Sequence, residues 1–318
     1  INFSKGIWID EHLNALTGSV LTLGMLLFNG TGRAGVDSFI DFFAEIFDFS
    51  RSSVQIWAHV YTVLVMGTDA PRAPLDQSRI ASALSRYWRV SVVDLTASTQ
   101  DDLANKITAG DGKSGDVIVA NYQSAGRGRL DRSFLAPPST ALLFSIYLNP
   151  TRSRDDWGFI PLLAGFSVAD TLRKINANVS IKWPNDLLID EMKVGGIIST
   201  AVGQGVIIGI GINVSTITTE LPVESATSLA LAGVTKLDRN FLLPLLLNAF
   251  EKDFTAWDQG ESFLEKYSLL SGTQGREVTI VGPSESTIRS SALFFDEQGR
   301  LHLKGGQIVT VGDVIHLR

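Results

Sequence analysis

From about residue 75 onward the apolar positions of this chain switch between helical and strand spacing. Leu75 to Tyr87 repeats every three to four residues, and Arg89 to Leu95 alternates as a strand does. Ser98 and Thr99 precede Asp101 and Asp102, an N-cap followed by first-turn acids, and the helix they open is expected to stop at Gly110. Asp116 to Ala120 and Thr140 to Leu148 are short apolar runs expected as strands. Asp155 to Ala177 has the length and spacing of a helix capped by Asp155 or Asp156, with Trp157, Ile160, Leu163 and Ala164 as its core face. A hairpin is expected over Ile181 to Ser199, with a tight connection at Asp190 to Met192, and Gly205 to Val214 is a further apolar strand. Asp238 to Gln259 reads as a second long helix, capped by Asp238 and with Pro244 early enough to be tolerated or to kink it mildly. Glu261 to Leu270 adds a shorter one. After Gly275 the spacing changes to five short alternating strands separated by Gly and polar turns. Strands and helices mix without regular βαβ repetition, so the core is α+β with an antiparallel or mixed sheet.

Residues Ile1 to Val65 follow neither pattern. Their apolar runs, Leu21 to Phe28 and Val60 to Val65, fall short of the roughly 18 residues a membrane span requires. No charged segment leads into a clean apolar stretch, which argues against a secretory signal. Without a basic recognition helix, this part does not support a DNA-binding role.

Composition narrows the chemistry. Of 318 residues, 45% are hydrophobic, enough for one large core and a small satellite domain in a globular, soluble protein. The net charge of -6 makes any positive site a local feature and disfavours nucleic acid as a partner. There is no cysteine, and the four histidines, His12, His59, His302 and His316, all lie outside Met66 to Leu301. Thiol chemistry is excluded, and a Ser-His-Asp triad or a His-ligated zinc is disfavoured in that segment. The lack of cysteine fits a reducing compartment.

Against that acidic background, Asn121 to Pro137 (NYQSAGRGRLDRSFLAP) gathers Arg127, Arg129 and Arg132 around Gly126 and Gly128. Glycine permits positive φ and close backbone approach, and guanidinium groups form bidentate contacts with anions. Alone, this composition also fits a solvated surface loop. The hairpin IKWPNDLLIDEMKVGGIIS changes the balance, because it sets Lys182, Asp186 and Lys193 together. The GxG of Gly209 to Gly211 lacks the third glycine and the strand-turn-helix setting of a dinucleotide fingerprint.

GRGR-x-x-R-x-aromatic followed by KWPND and K-V-G-G-I resembles the signature blocks of bacterial biotin protein ligases, over a stretch from about Leu75 to the C-terminus. The resemblance implies residues 73–270 as a catalytic domain, a small SH3-like β-barrel over 271–318, and residues 1–72 as an extension outside the family pattern. Because Met66 stands where family-like sequence begins, the first 65 residues are expected to be either such an extension or translated upstream sequence. The implied activity is ATP-dependent ligation of biotin to a lysine of a biotin carboxyl carrier domain through biotinyl-5'-AMP, with Mg2+, in the cytoplasm, by a monomer or weak homodimer that binds neither DNA nor membrane. A lipoate or octanoate ligase or transferase is the alternative within the fold, although its Gly-Gly-Gly run and histidine are missing.

The resemblance further implies roles for individual residues. Ser98, Thr99, Gln123 and Arg127 would hold biotin, and Arg129 would close the loop over the adenylate. Lys193 would reach both the biotin carboxylate and the α-phosphate, making Lys193, Arg129 and Arg127 the catalytic set. Lys182, Asn185, Asn213, Arg132 and Phe134 would address the nucleotide, and Asp186 the metal. Three positions depart from the pattern: Gln100 replaces an asparagine, Phe134 the usual tryptophan, and Thr200 a glutamate found in many relatives. This chemistry suits a core without His or Cys, because an ionised carboxylate attacking a phosphorus needs orientation and charge neutralisation more than a protein nucleophile.

Overall fold

The structure, a computed structural model, describes residues 72–129, 132–282, 287–310 and 312–316. The expectations for the first seventy residues lie outside the described ones. Arg72–Arg318 is a compact unit.

Its centre is a seven-stranded sheet of β1 (Arg89–Thr96), β2 (Asp116–Gln123), β3 (Ala141–Leu148), β4 (Ser180–Lys182), β5 (Asp186–Ile189), β6 (Met192–Val202) and β7 (Gly205–Asn213), in the order β1-β2-β3-β7-β6-β5-β4. Only β1 and β2 run parallel and the other neighbours are antiparallel, so the sheet is mixed. The β5–β6 hairpin turns on Asp190 and Glu191, both at positive φ. β3 and β7 are buried along their full length, which explains why they read as unbroken apolar runs rather than alternating ones.

The helices are α1 (Gln77–Ala83), α2 (Thr99–Thr108), α3 (Ile160–Arg173), α4 (Arg239–Asp258) and α5 (Leu264–Leu270). α2 lies on one face of the sheet, where Leu103 packs with Ile118, Tyr147 and Ile207. α3 and α4 belong to the main core with Leu142, Phe144, Ile146 and Ile208.

The sequence places the start of α3 too early. Arg154–Phe159 is a 3₁₀ turn entered through Ser153, and the α-helix begins at Ile160 with Pro161 in its first turn. Proline fixes φ and lacks an N–H, which suits a first turn. Trp157 sits in the 3₁₀ turn rather than in the α-helix, but it still packs half-buried against the main core, its indole N–H donating to the Arg152 carbonyl at 3.1 Å and its ring lying under the Arg154 guanidinium. Asp238 caps α4 as expected, accepting from Asn240 N at 2.9 Å, and Pro244 sits within it.

A second, antiparallel sheet of five strands follows: β8 (Glu277–Val281), β9 (Thr287–Phe295), β10 (Leu301–Leu303), β11 (Ile308–Val309) and β12 (Asp313–His316), in the order β11-β10-β9-β8-β12. It is tied to the first sheet at Trp183, whose indole N–H donates to the Gly299 carbonyl at 2.9 Å and whose backbone N–H donates to Thr273 Oγ1 at 3.0 Å.

Candidate active site

The site forms where the first turn of α2, the arginine loop and the open ends of β5 to β7 meet. Ser98 occupies the N-cap position of α2, yet its side chain makes no capping bond. The capping expectation gives way to a tertiary one at Thr99. Its backbone N–H and hydroxyl both donate to Gln123 Oε1, at 2.8 and 2.9 Å, and the hydroxyl also lies 2.8 Å from Ser145 Oγ. Ser98, Thr99, Gln123 and Ser145 are all buried and line an inner recess of about 140 Å³.

The arginine loop closes one side. Phe134 N donates to the Gly126 carbonyl at 2.9 Å and Gly128 N to the Arg132 carbonyl at 2.6 Å, giving a short hairpin. Neither glycine has positive φ. Close approach is what excludes a side chain here, since a Cβ on Gly126 would stand 2.4 Å from the Phe134 carbonyl. Arg127 pairs with Asp101 at 2.9 Å. Arg129 reaches Asn185 Oδ1 and the Gly312 carbonyl, both at 3.3 Å, and so links the loop to the second sheet. All three arginines line the recess.

On the opposite side, Lys193 Nζ is 2.5 Å from Asp186 Oδ1. The lysine backbone is clamped by its neighbours, its N–H donating to the Ser225 carbonyl and its carbonyl accepting from Thr227 N, both at 2.8 Å. The recess opens into a cleft of about 1350 Å³ bordered by Arg127, Asn185, Trp183 and, from the second sheet, Gly299 and Arg300.

Ten of the twelve expected site residues line this recess: Ser98, Thr99, Gln123, Arg127, Arg129, Arg132, Phe134, Asn185, Asp186 and Lys193. Lys182 and Asn213 border neither cavity. Asn213 is buried at the end of β7, where its amide donates to the Thr227 carbonyl at 2.9 Å and so steadies the segment clamping Lys193. Lys182 stands across from Asp186 in the ladder and acts electrostatically on His316.

Sequence reasoning missed Ser145 and the functions of Gly209 and Gly211. Ser145 is the one polar residue of ALLFSIYL, a signal that was there to be used. A Cβ on Gly211 would stand 2.8 Å from the Phe134 ring, so this glycine makes room for the aromatic wall.

The family model of the biotin/lipoate A/B protein ligases matches residues 92–215. The biotin–[acetyl-CoA-carboxylase] ligase of Mycobacterium tuberculosis is 33% identical over 266 residues, covering 79% of this chain and 98% of that protein. The bifunctional ligase/repressor BirA of Escherichia coli is 29% identical over 94% of this chain and 97% of its own length. Among solved structures, the biotin protein ligase of Aquifex aeolicus in complex with biotin and ATP superposes with a TM-score of 0.62 at 28% identity, covering 72% of this chain and 99% of that one. A relative this similar, matched almost end to end, together with a shared fold, shows that the chain belongs to the biotin/lipoate A/B protein ligase family, among its biotin protein ligases.

Proposed function

We propose that this protein joins biotin to a lysine of a biotin carboxyl carrier domain at the expense of ATP. The observation that carries the reading is the Lys193–Asp186 pair facing an arginine loop across a recess lined by Thr99, Gln123 and Ser145. One end of that recess offers neutral hydrogen-bonding groups for a polar ring, and the other gathers cations for a carboxylate and a phosphate.

In the first step the biotin carboxylate attacks the α-phosphorus, forming biotinyl-5'-AMP and releasing pyrophosphate. Lys193 holds the carboxylate and neutralises charge as it develops on the α-phosphate, while Arg127 and Arg129 screen the remaining phosphate oxygens. Arg132, Asn185 and Phe134 hold the nucleotide, the phenyl ring with less stacking area than a tryptophan. In the second step the acceptor amine attacks the carbonyl carbon and AMP leaves. The loop retains the mixed anhydride and keeps water from it.

Among the described residues no three His, Cys, Asp or Glu side chains cluster as a ready-made metal site. Asp186 lines the recess as a single carboxylate, which fits Mg2+ arriving with its phosphates and keeping several waters. Bound there, the ion would supply charge stabilisation on phosphate oxygens. The domain division at about residue 270, a cytoplasmic location, a monomer or weak homodimer, and the absence of a DNA role belong to the same reading. The net charge of -6 supports the last of these, and among the described residues no helix is long and apolar enough to cross a membrane.

The lipoate reading is weaker because the matched relatives are named as biotin ligases. Incubation with ATP, Mg2+ and either biotin or lipoate, followed by mass spectrometry, tests the choice. Biotinyl-5'-AMP is the expected product; lipoyl-AMP alone would overturn the reading.

A further inference from the structure

The segment that clamps the Lys193 backbone is the returning end of an Ω-like loop over residues 217–226, beyond the end of β7. Its neck is closed by Leu229 N donating to the Asn213 carbonyl at 3.0 Å and Ala230 N to the Val214 carbonyl at 2.9 Å. Ser228 Oγ also donates to the Thr216 carbonyl at 2.7 Å. At the outgoing end a 3₁₀ turn over Thr218–Glu220 brings Glu220 Oε2 within 3.0 Å of Ile217 N. Between the two ends, residues 222–225 are exposed, so packing gives that stretch little support.

A side chain from outside the loop fixes its outgoing end. Arg72 donates through Nη1 to Glu220 Oε1 at 3.0 Å, and through Nη2 to Glu220 Oε2 at 2.7 Å and to the Ser215 carbonyl at 2.8 Å. One guanidinium thus fastens the 3₁₀ turn to the neck, and both charged side chains are mostly buried. Its hydrogen bonds, opposed by burial and helped by Ile217 N, hold the Glu220 carboxyl below the ordinary range. A bidentate pair of this kind fixes geometry as well as adding energy.

The base of Arg72 is itself held. The Ala73 carbonyl accepts from the buried Arg239 at 3.0 Å and the Pro74 carbonyl from the Asn240 amide at 3.0 Å. Leu75 N donates to Asn121 Oδ1 at 3.1 Å, and Asp76 N to Asn240 Oδ1 at 2.7 Å. The guanidinium therefore projects from a backbone tied to β2 and α4.

We propose that Arg72 is a positioning residue for Lys193: through Glu220 it fixes the loop whose other end clamps the lysine, and so sets where the ammonium stands. This rests on the biotin-ligase reading and deepens it. A charge that stabilises the transition state is sensitive to small displacements, so the loss falls on the adenylation rate constant more than on substrate binding.

The pyrophosphate burst with biotin, ATP and Mg2+ tests this, its amplitude counting competent sites and its rate constant reporting adenylation. Arg72→Met and Glu220→Gln are each expected to lower that rate constant about five- to thirtyfold. The two together should lower it no further than the worse one alone, because they break the same contact. In a Lys193→Ala background, Arg72→Met should change the rate by less than about twofold, since the ammonium it positions is gone. A purely structural role would reduce the melting temperature and the number of competent sites and leave the rate constants alone. A wild-type rate constant in Arg72→Met, or an equal fall with and without Lys193, would overturn the proposal. Should Arg72→Met fail to fold, Glu220→Gln is read in the same two backgrounds by the same criteria. A wild type that forms no biotinyl-5'-AMP would instead remove the functional reading itself.

Discussion

Lys193 is the residue on which the proposed chemistry turns. It is held by its backbone to Ser225 and Thr227, and its side chain is partly exposed beside Asp186. Truncation should therefore leave the fold intact, because the clamp uses main-chain atoms. Lys193→Ala is expected to slow adenylation roughly a hundredfold or more, the equivalent of about 3 kcal/mol of lost charge stabilisation, with an unchanged melting temperature. Near-normal pyrophosphate release would remove Lys193 from the site. At Gly211 the constraint is space: a methyl group would stand 2.8 to 3.0 Å from three atoms of the Phe134 ring. Gly211→Ala should displace that ring and raise KM for ATP several-fold, at a modest stability cost because the clash falls on the far end of a side chain. An unchanged KM would show that Phe134 does not touch the nucleotide. Residues with a distinctive chemical type, such as Lys193, Asp186 and the arginines, were legible in the sequence. Ser145 was visible only as a polar residue in an apolar run; its bond to Thr99 and the Gln100–Thr200 bond were not legible, because each depends on strand register, which a linear reading does not supply.

Among the elements, the arginine loop is the one whose order the proposed chemistry depends on most directly. Three of its amides, on Gly128, Arg132 and Phe134, are paired within the loop, while Arg127 and Arg132 are exposed. Three guanidinium groups lie close together with the Asp101 carboxylate beside Arg127, so a bound anion adds neutralising charge and part of the binding energy is spent on ordering the loop. In hydrogen exchange, amides from Ala125 to Phe134 are expected to exchange quickly in the free protein and to slow markedly with biotin and ATP. Those from Ile207 to Ile212, in the buried strand β7, should be protected in both states. Equal protection of the loop with and without ligands would make it a rigid feature and end its role as a lid. The strands and long helices were legible because their apolar periods are strong. The start of α3 was not: Asp155 and Asp156 mimic a cap, while Pro161 and Ser153 set the true boundary.

At the scale of the whole molecule, the two sheets meet around a small cluster of charges. The small β domain itself was legible from its short alternating strands, but its docking was not, since it depends on contacts between residues far apart in sequence. His316 of β12 lies 3.0 Å from Thr273 Oγ1 through Nε2 and 3.5 Å from Glu191 of the β5–β6 turn through Nδ1, and Arg276 also bonds Glu191. Burial, then the positive charges of Lys182 and Arg276, hold His316 below the ordinary histidine range, with Glu191 opposing them. The folded protein therefore binds fewer protons at this site than the unfolded chain near the ordinary histidine pKa of about 6.5. Stability contributed by neutral His316 is fully present above that pH and is lost as pH falls through the lower folded value. The melting temperature should thus decline as pH is lowered from about 7.5 towards 5, by on the order of 2–4 °C for each kcal/mol lost. His316→Gln, which can keep a hydrogen bond to Thr273 without titrating, should flatten that decline, and comparing the two profiles subtracts the other titrating groups. If the profiles fall in parallel, the contact between the sheets does not depend on His316 being neutral.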